Sequence, residues 1–144
     1  MLSTVLERSV PYTSEQLFDV AADIESYPQF LRWWQQARVR ERDGERWVVD
    51  NTVALGPMRL QFESEALRQR PQRLEVSSRQ APFRHLQLSW QFEPQPAGCR
   101  VQLSVELELR SSMMQLMLER AVTGFLGEIL FAFEARAREL YGNR

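Results

Sequence analysis

The strongest constraint in this sequence is a single change of hydrophobic period. From Gln35 to Leu109 apolar residues recur at every second position. From Ser112 to Tyr141 they recur at helical spacing. The first stretch is cut by Asp43-Gly44, Gly56-Pro57, Pro71-Gln72, Ala81-Pro82 and Pro94 to Gly98, turn signals that divide it into six strands. Cys99, Val101, Leu103, Val105, Leu107 and Leu109 alternate strictly with Arg100, Gln102, Ser104, Glu106 and Glu108, the pattern of a sheet with one dry and one wet face. Leu86, Leu88, Trp90 and Phe92 repeat it. The links are too short for parallel crossovers, so the strands form an antiparallel meander.

Residues 112–141 contain no helix breaker besides Gly124 and Gly127 and read as one helix, roughly 45 Å long. Met114, Met117, Leu118, Ala121, Val122, Phe125, Ile129, Ala132 and Phe133 form its apolar stripe. Arg120, Thr123, Glu134 and Arg138 lie opposite, with Glu134 and Arg138 spaced for an ion pair on the solvated face. Before the meander, residues 2–9 read as a strand that Pro11 ends, and Thr13 to Gln16 match a capping box opening a short helix. Asp23 to Ser26 end that helix before a second helical turn, opening at Pro28 and carrying Tyr27, Phe30, Leu31, Trp33 and Trp34. The predicted fold is α+β, one domain over residues 1–144. It is a helix-grip arrangement in which a curved six- to seven-stranded antiparallel sheet surrounds a long C-terminal helix, with two short lid helices. A curved sheet and a straight helix diverge at one end, where an apolar cavity forms. Its candidate lining is Tyr27, Phe30, Leu31, Trp33 and Trp34 from the lid, Asn51, Val53, Phe62, Leu88, Trp90, Leu103 and Val105 from the sheet, and Phe125, Glu128 and Ile129 from the helix.

Composition removes several chemistries. All 18 basic side chains are Arg, and the absence of Lys excludes Schiff-base chemistry and a Walker-type phosphate lysine. One His (His85) and one Cys (Cys99) cannot build a structural zinc site, a redox pair or an internal disulfide. No metal or cofactor is expected. A formal charge of -1 argues against a globally basic nucleic-acid binder. No window approaches the roughly 20 apolar residues of a membrane span, so the expected location is cytoplasmic, with peripheral membrane contact compatible with a lipid ligand.

The segment Val10-Pro11-Tyr12 through Leu17-Phe18-Asp19-Val20-Ala21, followed by Asp23-Ile24-Glu25-Ser26-Tyr27-Pro28-Gln29-Phe30-Leu31, resembles the opening of the START-like (SRPBCC, polyketide cyclase-like) family. The resemblance is to its branch of coenzyme Q-binding proteins and ribosome association toxins. Pro82-Phe83-Arg84-His85-Leu86 with Trp90-Gln91-Phe92-Glu93-Pro94, and Phe131 to Ala137 with Tyr141-Gly142, resemble later segments of that family. The likeness covers nearly the whole chain. It departs in the lid, where relatives continue Phe-Leu-Pro-Trp-Cys and this chain has Phe30-Leu31-Arg32-Trp33-Trp34. The resemblance implies binding of a polyisoprenoid quinone or similar lipid, in support of respiration. It implies two alternatives: a ribosomal subunit as partner, and an enzyme of the aromatase or cyclase type.

Individual residues carry paired readings. Adjacent Trp33 and Trp34 on one short helix cannot both enter the core, so at least one edges the pocket or faces solvent. Asn51 shares a dry face with Trp47, Val49, Val53 and Leu55, and is either a core amide or a group that orients a quinone carbonyl or lipid headgroup. Glu128 lies within the apolar stripe and, with Asp50, is one of two arguable acid-base groups, although a slight rotation places it at the stripe's wet edge. His85 falls on the wet face, and Cys99 reads as a small core residue. Arg38, Arg40 and Arg42 alternate on one face of their strand, either as a phosphate or RNA footprint or paired with the neighbouring carboxylates.

Overall fold

The structure is a computed structural model in which residues 1–124 and 126–143 are described. Seven strands form one antiparallel sheet: β1 (Leu2–Val10), β2 (Trp34–Asp43), β3 (Arg46–Leu55), β4 (Met58–Gln69), β5 (Arg73–Ser78), β6 (Phe83–Gln95) and β7 (Gly98–Leu109). Their order is β1-β7-β6-β5-β4-β3-β2. Each turn signal in the sequence falls at a hairpin, and the alternating side chains of β6 and β7 pair in register, Leu88 with Val105 and Trp90 with Leu103.

The sheet order dictates where the lid must lie. The chain leaves β1 at one edge and re-enters as β2 at the other. Residues 11–33 therefore cross the sheet, a span of roughly 29 Å if it were flat, and do so over the face that carries the apolar side chains. Helix α1 (Ser14–Ala22) opens with the expected capping box. Thr13 Oγ1 accepts from the Gln16 amide at 3.1 Å, and Gln16 Oε1 accepts from the Thr13 amide at 3.0 Å. Its inner side buries Leu17, Phe18, Val20 and Ala21.

The second lid element differs from expectation. It is a 3₁₀ helix over Ile24–Gln29, so Pro28 lies inside it instead of opening it. Only Asp23 separates it from α1. Glu25 fastens this element to β2, accepting from the Val39 amide at 3.0 Å and from the Arg42 guanidinium at 3.2 Å.

The C-terminal segment is not one helix. Helix α2 (Ser112–Thr123) ends at Gly124, a 3₁₀ turn spans Leu126–Glu128, and helix α3 (Ile129–Tyr141) follows. Two glycines three positions apart each lower helix stability by about 1 kcal/mol relative to Ala, and the tighter turn takes up the change of course. The break also rotates the buried faces. Helix α2 buries Gln115, Leu118 and Val122, and α3 buries Leu130, Phe133, Glu134 and Ala137. Met117, expected to be inside, is exposed. Glu134, expected on the solvated face with Arg138, is buried and pairs with Arg8 of β1. That β1 partner is invisible to helical spacing.

Local close approaches explain two glycines. A Cβ on Gly98 would sit 2.0 Å from the Val10 carbonyl oxygen, so only glycine lets the β6–β7 hairpin pass under the end of β1. At Gly56 (φ +59°) the β3–β4 turn reaches α2, where an added Cβ would meet the Ala121 Cβ at 3.2 Å.

Candidate functional site

An apolar cavity of about 130 Å³ lies between the sheet, the lid and the α2–α3 junction. One water needs about 10–15 Å³ of such space, so the void is far larger than a packing defect. The expected residues Tyr27, Leu31, Trp33, Trp34, Asn51, Val53, Phe62, Leu88, Trp90, Leu103, Val105 and Ile129 all line it. Both tryptophans reach it because they are not on a helix. Trp33 precedes the sheet, its carbonyl accepting from the Ala54 amide at 2.8 Å, and Trp34 opens β2.

Three expected residues stand apart. Phe30 does not line the cavity. It packs edge-on to Tyr27 and Phe133 with the Arg136 guanidinium 5.5 Å from its ring centre, supporting the wall from behind. Glu128 is exposed in the 3₁₀ turn and also lies outside the lining, which removes the carboxylate that a cyclase reading would use there. Phe125 lies outside the described residues.

The lining also includes residues outside the expected set: Leu2, Ile24, Leu55, Ser64, Val76, Phe83, Leu86, Leu107, Val122, Leu126 and Phe133. Ser64 had a readable signal. It is a polar residue between Phe62 and Ala66 on the dry side of β4, the same anomaly that marks Asn51 on β3.

Polar atoms are few in this cavity, and their arrangement is definite. Asn51 is buried, and its Nδ2 donates to Ser64 Oγ at 2.9 Å, with the Val49 and Phe62 carbonyl oxygens at 3.3 and 3.4 Å. Carbonyl oxygens can only accept, so this side of the amide must be the NH₂ group. Asn51 Oδ1 is left buried without a partner among the described residues, and so is the indole Nε1 of Trp34. Tyr27 is the one ionisable side chain among the described lining residues. Its hydroxyl donates to the Ala21 carbonyl, and burial pushes its pKa well above the ordinary phenol range. The cavity wall is thus almost wholly apolar, and the two unpaired atoms belong to lining residues without reaching the cavity surface.

Outside the cavity, the arginine row is not a row. A bulge between Val39 and Glu41 shifts the register, so Arg38 opposes Asp50 on the wet face while Arg42 opposes Trp47 on the dry one. Arg40 pairs with Glu63 and lies 3.6 Å from Asp50. Arg42 bonds Glu25 and stacks 4.7 Å from the Trp47 ring centre. Asp50, too, is therefore a wet-face residue. His85 Nε2 lies 2.9 Å from Glu106 Oε1 on the wet face. Cys99 is fully buried, and burial pushes its thiol up to about 11.

Comparison with known proteins places this geometry. The chain is 28% identical over 98% of its length to the ribosome association toxin RatA of Pseudomonas aeruginosa, covering all of that protein. It is 23% identical over 92% of its length to coenzyme Q-binding protein COQ10 homolog B of Xenopus laevis, spanning 57% of that longer chain. The solution structure of an 18 kDa protein from Caulobacter crescentus superposes with a TM-score of 0.78 at 30% identity, over 99% of this chain and 100% of that one. Residues 10–134 match the model of the polyketide cyclase / dehydrase and lipid transport family, and with a sheet, lid and cavity arranged as described, the chain belongs to that family.

Proposed function

We propose that this protein binds a hydrophobic small molecule, of the polyprenyl quinone or similar lipid class, in the cavity beneath its lid. The observation that carries the reading is a cavity walled almost wholly by apolar side chains. Ligand sites have this composition: apolar walls supply affinity and a few fixed polar groups supply orientation. Each CH₂ transferred from water contributes about 0.8 kcal/mol, so a lipid tail offsets the ordering cost of binding without any charged contact. The family's description as lipid transport and the similarity to a coenzyme Q-binding protein support the same reading. Native purification, extraction into organic solvent and mass spectrometry are expected to recover a lipid. Absence of any lipid, together with no uptake of an added short-chain ubiquinone, would refute it.

A second reading, association with a ribosomal subunit, is favoured by the similarity to ribosome association toxins over nearly the full chain. Co-sedimentation with purified subunits across a salt series tests it. Binding through phosphate contacts weakens steeply with salt, and no binding at low salt ends that reading.

A further inference from the structure

Helix α2 is apolar on two sides. Leu118 and Val122 are buried on the inner one, and Val122 lines the cavity. On the outer one Met113, Leu116 and Met117 are exposed. Their spacing of i, i+3 and i+4 places them on one face, and the next position of that face, i+7, is the exposed Arg120. None of these positions is a carboxylate, and Glu119 stands half-buried at the edge of the face. Clustered exposed apolar side chains mark a contact surface.

The charges around α2 bear on what that contact is. Elsewhere exposed arginines are paired: Arg40, Arg46, Arg70 and Arg100 each meet a carboxylate. Around α2 they are not. Arg110, just before the helix, bonds the Phe83 and Arg79 carbonyls, and Arg59, which shares a surface groove with Met114, bonds Gln35. Arg120 pairs with no carboxylate among the described residues. A second copy would set this basic face against an identical one. An RNA would use the arginines and leave Met113, Leu116 and Met117 in water. A bilayer with anionic headgroups takes both, apolar side chains at the acyl boundary and guanidinium groups at the phosphates. The cavity points the same way. Its volume of about 130 Å³ is close to that of an engineered cavity of roughly 150 Å³ that holds benzene. It encloses a ring or a few carbons, and the rest of a lipid tail needs an apolar phase beside it.

We propose that α2 docks this protein on an anionic lipid bilayer, with Met113, Leu116 and Met117 at the acyl boundary and Arg59, Arg110 and Arg120 at the headgroups. The ligand's tail then stays in the bilayer while its head occupies the cavity. This rests on the cavity binding a lipid, but Met113, Leu116 and Arg120 lie outside the cavity lining, so the two claims are tested apart.

Co-flotation with vesicles reads the docking, and uptake of a short-chain ubiquinone without vesicles reads the cavity. The unaltered protein is expected to float with vesicles of phosphatidylcholine containing about one-third phosphatidylglycerol, less with phosphatidylcholine alone, and less as salt rises. Arg120→Gln is expected to lower the partition about fivefold. Met113→Ser combined with Leu116→Ser is expected to lower it about tenfold or more. Both changes are on exposed positions and are expected to leave ubiquinone uptake as it was. No flotation of the unaltered protein, or flotation that neither variant weakens, would overturn the docking and leave cavity binding standing. A dimer in sedimentation equilibrium that the double serine variant dissociates, without flotation, would overturn it in favour of a second copy. Co-sedimentation with ribosomal subunits that Arg120→Gln weakens, without flotation, would overturn it in favour of RNA. Flotation without ubiquinone uptake would overturn the cavity reading and, with it, the placement of the ligand's head.

Discussion

The two ends of the same sheet face are filled in different ways. Under α3, the Phe133 ring meets Trp90, Phe30 and Tyr27 at centroid distances of 4.7, 5.2 and 5.4 Å. Helix α1 closes the same end, with Phe18 edge-on to Phe92 at 5.9 Å. Under α2 the contacts are thinner. Leu118 and Val122 face inward, and Gln115 ties the helix to the end of β7 by accepting from the Leu109 amide at 2.7 Å and donating to the Leu107 carbonyl at 3.2 Å. The outer side of α2 leaves Met113 76% and Leu116 54% exposed. One end has a third layer of structure behind it and the other does not. The cavity lies between them, with Tyr27, Trp90 and Phe133 in its wall on the α3 side and Val122 and Leu126 on the α2 side.

This difference predicts where substitutions hurt. Phe18 is fully buried in the dense end and lies outside the cavity lining. Phe18→Ala is expected to cost about 3–5 kcal/mol, the usual range for emptying an aromatic site that cannot collapse. Urea denaturation followed by circular dichroism measures it. A loss below about 1 kcal/mol would mean that this end relaxes freely and that the contrast between the ends is not one of packing.

Legibility did not follow packing density. Capping, turn chemistry and strict alternation are local signals, and they placed α1, the hairpins and the dry face that holds Trp90, Leu103 and Val105. The errors arose where a distant partner or a register slip decides. Glu134 sits on the polar side of a helical projection, yet it is buried because Arg8, 126 positions away, meets it. Arg42 changes face because of one bulge that no side-chain pattern announces. The break between α2 and α3 was announced only by Gly124 and Gly127, and single glycines do not usually stop a helix with a continuous apolar stripe. For the site, Asn51 was legible as a polar residue on an apolar face, but the bonding of its amide was not. That depends on Ser64, which pairs across strands two positions beyond its register neighbour Phe62.

The open end gives the smaller and more informative effect. Val122 is buried on α2 and lines the cavity, so part of its surface already faces empty space. Val122→Ala removes contacts on one side only. Complete burial of its two lost carbons would contribute roughly 1.6 kcal/mol, and the expected cost without ligand is about half of that. The consequence appears once the cavity is filled. A ligand that binds only the folded state stabilises it by about 2.7 kcal/mol at a concentration of a hundred times its Kd. A hydrophobic ligand resting on α2 uses the contacts that Val122 supplies. Thermal melts of the unaltered protein and of each variant, with and without the short-chain ubiquinone, are therefore expected to diverge. In Phe18→Ala the melting temperature falls sharply, and the ligand-induced rise stays as in the unaltered protein, because distant sites add independently. In Val122→Ala the melting temperature barely moves, and the ligand-induced rise shrinks. A ligand-induced rise left unchanged in Val122→Ala would mean that the ligand does not rest on α2, and the thin packing beneath α2 would then be unconnected with binding.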